Sequence, residues 1–188
     1  MEQKLTDEEV ALSACYNKRD FTVLVERYEQ RLLRYIKRLG AGDEAEDILQ
    51  EVFIKAFRYL HSFDSSMSFS SWIYRIAHNT TISAYRKKKV RPHGNLAEDG
   101  EALLLNISNY KSLQEEMEIK SDISILNKAM GKLSEKYKNI LLLRYMEELD
   151  YKEIADVLKL PMGSVASQIS RAKKKLKHEI EKEMKKYE

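Results

Sequence analysis

The chain has 188 residues, of which 43% are hydrophobic and 34% are charged, and it carries a formal charge of +3. That length allows one ordinary domain or two small ones, and six glycines and two prolines are too few for a β-sandwich or barrel. A lone cysteine, Cys15, excludes an internal disulfide and a zinc site made of several cysteines. No apolar run is longer than residues 140–143, which excludes a membrane span, and the polar start lacks the apolar core of a secretory signal. These features predict a soluble, mostly helical, cytoplasmic protein.

Apolar residues recur at three- and four-residue steps through most of the first half, which predicts a series of helices. A short leading helix covers residues 7–15, and a long one covers residues 21–39 before a pair of glycines. The next helix spans residues 45–60, a Ser-rich loop follows at residues 61–68, and a third long helix begins at residue 69. The pattern predicts a compact helical bundle that ends near a basic block.

The following stretch differs in composition from the helices on either side. Residues 92–118 hold six acids and one lysine, with a proline and two glycines that interrupt any periodicity. We therefore predict a first domain at residues 1–90, a flexible acidic linker at 91–118 and a second helical domain at 119–188. At about 3.3 Å per residue the linker reaches about 90 Å when extended, whereas two turns of duplex DNA measure about 70 Å. Two modules joined in this way can contact one duplex two turns apart.

The second domain carries a helix-turn-helix pattern. Asp150 and Glu153 form a capping box at the start of a two-turn helix, and Pro161 forces a corner before a longer helix. Opposite the apolar stripe of that longer helix we expect a polar and basic face, made of Ser164, Ser167, Gln168, Arg171, Lys174 and Lys175. Such side chains can bind base edges and phosphates, although a polar face can also be merely solvated.

Two other faces are candidates for binding. The face of the third long helix away from the core carries Arg75, His78, Asn79, Ile82 and Arg86, and it leads into a basic block at residues 86–91, next to aromatic residues. Basic and aromatic side chains together suit single-stranded nucleic acid, because exposed nucleobases stack on the rings while the cations hold the backbone. On the preceding helix, acids in the first turn are explained by the helix dipole, but Asp47, Gln50 and Glu51 lie further in and can form a patch for a basic partner.

Three segments in this order resemble bacterial extracytoplasmic-function (ECF) sigma factors. They read DEAEDILQEVFIKAF at residues 43–57, FSSWIYRIAHN at 69–79 and YKEIADVLKLPMGSVASQISRAKKKL at 151–176. The resemblance covers roughly residues 5–180. It implies an all-α fold with a sigma-2-like helical bundle and a sigma-4-like helix-turn-helix domain.

The resemblance also implies a function, partners and site residues. It implies a subunit that joins core RNA polymerase and directs initiation at specific promoters, without cofactor or metal. Contact with the clamp helices of the large polymerase subunit is implied for Asp47, Gln50 and Glu51, and the second domain is expected near the polymerase flap. Recognition and opening of the −10 element are implied for His61, Ser62, Phe63, Ser66, Arg75, Asn79, Arg86 and Lys87. Recognition of the −35 element is implied for Ser164, Ser167, Gln168, Arg171, Lys174 and Lys175. Members are commonly inhibited by an anti-sigma protein, often one bound to the membrane.

The sequence departs from the family pattern at a few of these positions. Where the family's recognition helix usually reads G-T-V-K-S-R, Ala166 and Gln168 replace two bases, and Ser83 stands where an acid often precedes the basic run. Fewer charges at the groove should reduce the phosphate contribution to binding.

Two other classes of protein are alternatives to the sigma factor. A self-sufficient repressor would use the helix-turn-helix as a dimer and bind duplex DNA tightly without polymerase. An enzyme fits poorly, because the four histidines are scattered and no glycine-rich phosphate loop or paired nucleophile is present.

Overall fold

Helices account for nearly all of the chain that the structure, a computed structural model, describes, namely residues 5–90 and 113–185. Within those ranges there are eight α-helices and no β-strand, in agreement with the predicted all-α class. The helices are α1 (Asp7–Tyr16), α2 (Phe21–Arg38), α3 (Ala45–Tyr59), α4 (Phe69–Val90), α5 (Leu113–Gly131), α6 (Glu135–Leu141), α7 (Tyr151–Leu158) and α8 (Met162–Met184). We call α1–α4 the N-terminal unit and α5–α8 the C-terminal unit.

The N-terminal unit is built on the predicted apolar stripes. Helix α2 ends where Gly40 adopts a φ of +93°, a left-handed conformation that other residues rarely adopt. Helices α2, α3 and α4 pack side by side, and α1 lies against α2 and α4. Their shared core includes Leu24, Tyr28, Leu32, Ile36, Val52, Ala56, Phe69, Ile73 and Ala77, all of them buried.

The C-terminal unit contains the predicted helix-turn-helix. The Asp150 carboxylate accepts a hydrogen bond from Glu153 N at 2.8 Å, and Glu153 Oε2 accepts one from Asp150 N at 2.9 Å, so the capping box is confirmed. Helix α7 ends at Lys159, which has a φ of +51°, and Pro161 precedes the first residue of α8. Helices α5, α6 and α7 all pack on α8, around buried residues that include Ile140, Leu143, Ile154, Val165 and Ile169.

The predicted acidic linker, residues 91–118, is only partly within the described chain. Residues 91–112 lie outside it, whereas residues 113–118 belong to the first turns of α5. Helix α5 thus begins six residues before the predicted start of the second domain, and the acids at 115, 116 and 118 are good helix formers.

The two units contact each other directly. Helix α7 of the C-terminal unit packs against α4 of the N-terminal unit, and polar side chains of α2 and α4 reach the turn that precedes α7. Helices α4 and α7 are therefore neighbours in this structure.

Candidate polymerase and nucleic-acid interfaces

The acidic patch predicted on α3 is on the surface. Asp47, Gln50 and Glu51 are exposed, while Ile48, Leu49 and Val52 between and beside them are buried. A helix turns about 100° per residue, so positions 47, 50 and 51 share the face opposite the core. The structure thus presents two carboxylates and an amide together to solvent.

Lys55 joins this face to the neighbouring helix, and the sequence analysis missed it. Its Nζ lies 2.6 Å from Glu51 Oε1 and 3.2 Å from Thr80 Oγ1 of α4. The signal was available as the i,i+4 spacing of Glu51 and Lys55. Lys55 therefore places a positive charge between the acidic patch and α4.

The Ser-rich loop before α4 presents polar side chains around one buried aromatic ring. His61, Ser62 and Ser66 are exposed. Asp64 Oδ1 accepts a hydrogen bond from Ser66 N at 2.9 Å, which holds the pKa of that carboxyl below its usual range. The loop is therefore a hydrogen-bonded turn that keeps three of the four predicted −10 loop residues accessible.

Phe63 is the exception among the predicted loop contacts. It is 9% exposed, and its ring packs against Phe69 at 5.5 Å and Trp72 at 5.4 Å between centroids. In this conformation Phe63 cannot stack on a base, and it anchors the loop to α4 instead. The sequence could not separate these roles, because an aromatic residue in a polar loop suits both.

The predicted nucleic-acid face of α4 is partly covered. Asn79, Arg86 and Lys87 are exposed, whereas Arg75 is half-buried. His78, which the periodicity placed on the same outward stripe, is turned inward, and its Nδ1 lies 3.0 Å from the Tyr35 hydroxyl. The C-terminal half of this face is open to solvent, and its N-terminal half lies near the contact with the C-terminal unit.

The burial of His78 makes stability depend on pH. Burial lowers the pKa of His78 to about 4, below its ordinary value of 6.5. Between these values the unfolded chain binds a proton at this site and the folded chain does not, so the stabilisation is complete above pH 6.5 and is lost as the pH falls. We expect a drop from pH 7 to 5 to cost the wild type about 2 kcal/mol more than a His78→Gln variant in urea unfolding. Parallel pH profiles for the two proteins would contradict this assignment.

The outer face of α8 presents most of the side chains predicted for it. Ser167, Arg171, Lys174 and Lys175 are exposed, and Ser164 is half-buried at the first turn, where its hydroxyl donates to Pro161 O at 2.8 Å. Lys175 Nζ lies 5.6 Å from the centre of the Tyr137 ring, a cation–π contact that fixes the direction of one lysine.

Gln168 is not on that face. It is 8% exposed, its Nε2 lies 3.4 Å from Ser164 Oγ, and its Oε1 has no hydrogen-bond partner among the described residues. Position 168 lies about 60° around the helix from buried Val165, so it falls on the edge of the core. The prediction that Gln168 points toward DNA is therefore wrong for this structure, because a helical-wheel boundary was assigned to the wrong side.

Comparison with known protein families identifies the class of this chain. The model of Sigma-70 region 2 matches residues 24–91, and the model of Sigma-70, region 4 matches residues 123–176. These two regions in this order define a sigma-70-type transcription initiation factor.

Similar proteins make the class more specific. The ECF RNA polymerase sigma factor SigW of Bacillus subtilis is 34% identical over 165 residues, covering 85% of this chain and 88% of SigW. The ECF RNA polymerase sigma-E factor of Haemophilus influenzae is 31% identical, covering 96% and 98%. The solved structure of CnrH in complex with the cytosolic domain of CnrY is 25% identical, with a TM-score of 0.65, covering 92% and 95%. The chain belongs to the ECF RNA polymerase sigma factors.

This membership favours the sigma factor over the two alternative classes of protein. The protein is a sigma factor that binds core RNA polymerase and directs initiation at specific promoters, and the self-sufficient repressor is the weaker interpretation. Its relatives are transcription initiation factors that are not known as enzymes. No helix in residues 5–90 or 113–185 is long and apolar enough to cross a membrane. The same residues contain no cluster of three or more potential metal ligands.

Proposed function

We propose that the sigma factor divides its work among three surfaces, with residues 1–90 serving polymerase binding and the −10 element and residues 119–188 serving the −35 element. The observation that carries this proposal is the separation of charge in the structure. The exposed acids of α3, the exposed bases at the end of α4 and the exposed bases of α8 lie on three different helices.

The first surface is the acidic patch of α3, with Asp47, Gln50 and Glu51. We assign it to the clamp helices of the large polymerase subunit. Its carboxylates need a basic partner rather than DNA, because a phosphate backbone would be repelled by them. The C-terminal unit would contact the polymerase flap.

The second surface combines α4 with the loop before it. Asn79, Arg86 and Lys87 are exposed on one helix, and His61, Ser62 and Ser66 are exposed in the loop. This surface would recognise and open the −10 element, because amide and basic groups hold a single strand while an extruded base enters the loop. Arg75 belongs to it by its position on α4, although its side chain is half-buried in this structure.

The third surface is the outer face of α8, which would enter the major groove of the −35 element. Ser164 and Ser167 are short side chains at its N-terminal end that allow close approach to base edges. Arg171, Lys174 and Lys175 follow further along the helix and supply positive charge to the DNA backbone.

Replacing Arg171 tests this third surface. We expect Arg171→Ala to weaken binding of the reconstituted holoenzyme to duplex DNA carrying the −35 element by about tenfold and to lower its salt dependence. Lys173→Ala is the matched control, because Lys173 is an exposed base on the same helix that points about 160° away from Arg171. Equal losses for both variants in a filter-binding or anisotropy titration would contradict the assigned face.

The regulatory partner is also a proposal. The similar solved protein CnrH is held in a complex with the cytosolic domain of CnrY. We propose that this chain acts on polymerase in the cytoplasm and is bound there by an anti-sigma protein, whose own anchor can be a membrane. Co-purification from cells with and without the inducing stress would identify that partner.

A further inference from the structure

A buried carboxylate lies at the boundary between the two units. Glu147 follows a π-helical turn at Leu142–Met146 and is 4% exposed. The next residue, Glu148, has a φ of +59°, and Leu149 N donates to Leu143 O at 3.0 Å, so the chain reverses sharply here. This reversal places the side chain of Glu147 against the N-terminal unit rather than in solvent.

Among the described residues, the hydrogen-bond partners of this carboxylate come from the other unit. Arg38 Nη1 of α2 donates to Glu147 Oε1 at 2.9 Å, and the Tyr74 hydroxyl of α4 donates to Glu147 Oε2 at 2.5 Å. We call Arg38, Tyr74 and Glu147 the Glu147 cluster. Arg31 adds a weaker contact to Glu147 O at 3.4 Å while its guanidinium lies over the ring of Tyr74 at 5.8 Å.

A second polar contact joins the units close by. The Ser68 hydroxyl donates to Glu153 Oε1 at 2.8 Å, and Ser68 also accepts a hydrogen bond from Ser71 N in the first turn of α4. The carboxylate of Glu153 already caps α7 through its other oxygen. The N-terminal ends of α4 and α7 are therefore tied together.

We expect the packing of the two units to depend strongly on the Glu147 cluster, because its charges are largely buried from solvent. The side chains of Glu147 and Arg38 are 3% and 18% exposed. Burial and the adjacent Glu147 raise the pKa of Tyr74 far above its usual range, so the phenol stays protonated and donates. Each carboxylate oxygen has one strong donor, and removal of a donor would leave a buried charge incompletely paired.

The arrangement that this cluster holds cannot read a promoter. Helix α7 packs against both α4 and α8. Because the axes of packed helices lie about 8–10 Å apart, α4 and α8 are within about 20 Å of each other where α7 lies between them. Two recognition surfaces this close together cannot bind elements two duplex turns, about 70 Å, apart. The acidic patch of α3 and the bases of α8 nevertheless remain exposed in this state.

We propose that the Glu147 cluster is an interdomain lock that holds the free sigma factor closed, and that it must open before both promoter elements are bound. Because the α3 patch stays accessible, polymerase can dock on the closed chain first and opening can follow. The consequence for promoter reading rests on the proposed roles of α4 and α8, whereas the lock itself rests only on the contacts described above.

The lock can be tested by measuring the distance between the units in the full-length chain, without DNA or polymerase. Spin labels are placed at exposed Gln30→Cys on α2 and Lys173→Cys on α8 in a Cys15→Ser background, and their separation is read by pulsed dipolar spectroscopy. Arg38→Glu sets two like charges together, so we expect the ratio of closed to open chains to fall about 100-fold or more. Arg34→Glu is the matched control, because Arg34 is exposed on α2 one turn earlier. Its distances should match the wild type.

Tyr74→Phe is the second variant, since it removes one hydroxyl and keeps the ring. We expect it to reduce the closed-to-open ratio about tenfold, with circular dichroism confirming unchanged helix content. Longer distances in Arg38→Glu or Tyr74→Phe, but not in Arg34→Glu, support the lock. Wild-type distances in both variants, or equal opening in Arg34→Glu, would overturn it. If the proposed DNA contacts are wrong, the variants should still show these longer distances, and only the promoter-binding measurements would disagree with our proposal.

Discussion

Reversing the charge of the α3 patch, with Asp47→Lys and Glu51→Lys together, is expected to reduce the affinity of the chain for core RNA polymerase by about 100-fold or more. The proposed partner surface is basic, so each substitution replaces an attraction by a repulsion across the interface. Promoter-specific transcription should fall by a similar factor at limiting sigma factor. The measurement is a titration of labelled chain with core enzyme, followed by runoff transcription.

The fold should survive this double substitution. Both side chains are exposed, and the Glu51–Lys55 ion pair that is lost lies on the surface, where such pairs contribute about 1 kcal/mol or less. Reversing a charge near the start of α3 costs about 0.5 kcal/mol more through the helix dipole. Glu26→Lys with Glu29→Lys is the matched control, since it makes the same charge change at exposed positions on α2. If the control binds polymerase as weakly as the α3 variant, net charge rather than the patch is responsible.

The elements that sequence reasoning predicted best are those fixed by local physical chemistry. The capping box at Asp150 and Glu153, the glycine stop after α2 and the stripes of α2, α3 and α4 each depend on residues within one or two turns. Such signals are written in consecutive residues, and the structure confirms all of them. The family motifs then supplied the order of the two regions, which the family models confirm.

The predictions that failed concern side chains whose neighbours are distant in sequence. His78 turns inward because Tyr35, 43 positions earlier, offers it a hydrogen bond. Gln168 lies at the edge of the apolar stripe of α8, where a small error in the assumed helical angle moves a residue from the polar face to the buried face. The contact between Glu147 and Arg38 was not predicted at all, because nothing in the segment EELD marks Glu147, and only the fold brings it to Arg38, 109 positions away. Periodicity assigns a face to a residue, but it cannot say what another unit will place against that face.

The closed arrangement leaves most of the predicted contact residues exposed. Residues that would meet polymerase, the α3 patch, and those at the outer face of α8 are accessible before any partner binds. Arg75, near the α7 contact, is half-buried. A sigma factor organised in this way exposes its proposed docking surface and most of its proposed −10 surface, but it holds α4 and α8 too close together to bind both promoter elements, which favours DNA recognition by the holoenzyme over recognition by the free chain.

The role of Phe63 can be decided by two substitutions at the same position. If Phe63 anchors the loop, as its packing against Phe69 and Trp72 indicates, Phe63→Ala should lower the free energy of unfolding by about 3 kcal/mol. Phe63→Leu fills most of the same volume and should cost less than about 1.5 kcal/mol. Urea unfolding of the full chain measures both values.

Promoter opening separates the anchor from a base contact. An anchor needs only apolar volume, so Phe63→Leu should open the −10 element at a rate close to wild type, as followed by permanganate reactivity of unpaired thymines. A ring that stacks on a base would lose that stacking, about 1–3 kcal/mol, and opening would slow at least about fivefold although the fold is intact. Ser66→Ala is the comparison, because Ser66 is exposed and makes no side-chain contribution to the core. It should leave stability unchanged while reducing opening, since the loop positions that face solvent are the ones able to hold an extruded base.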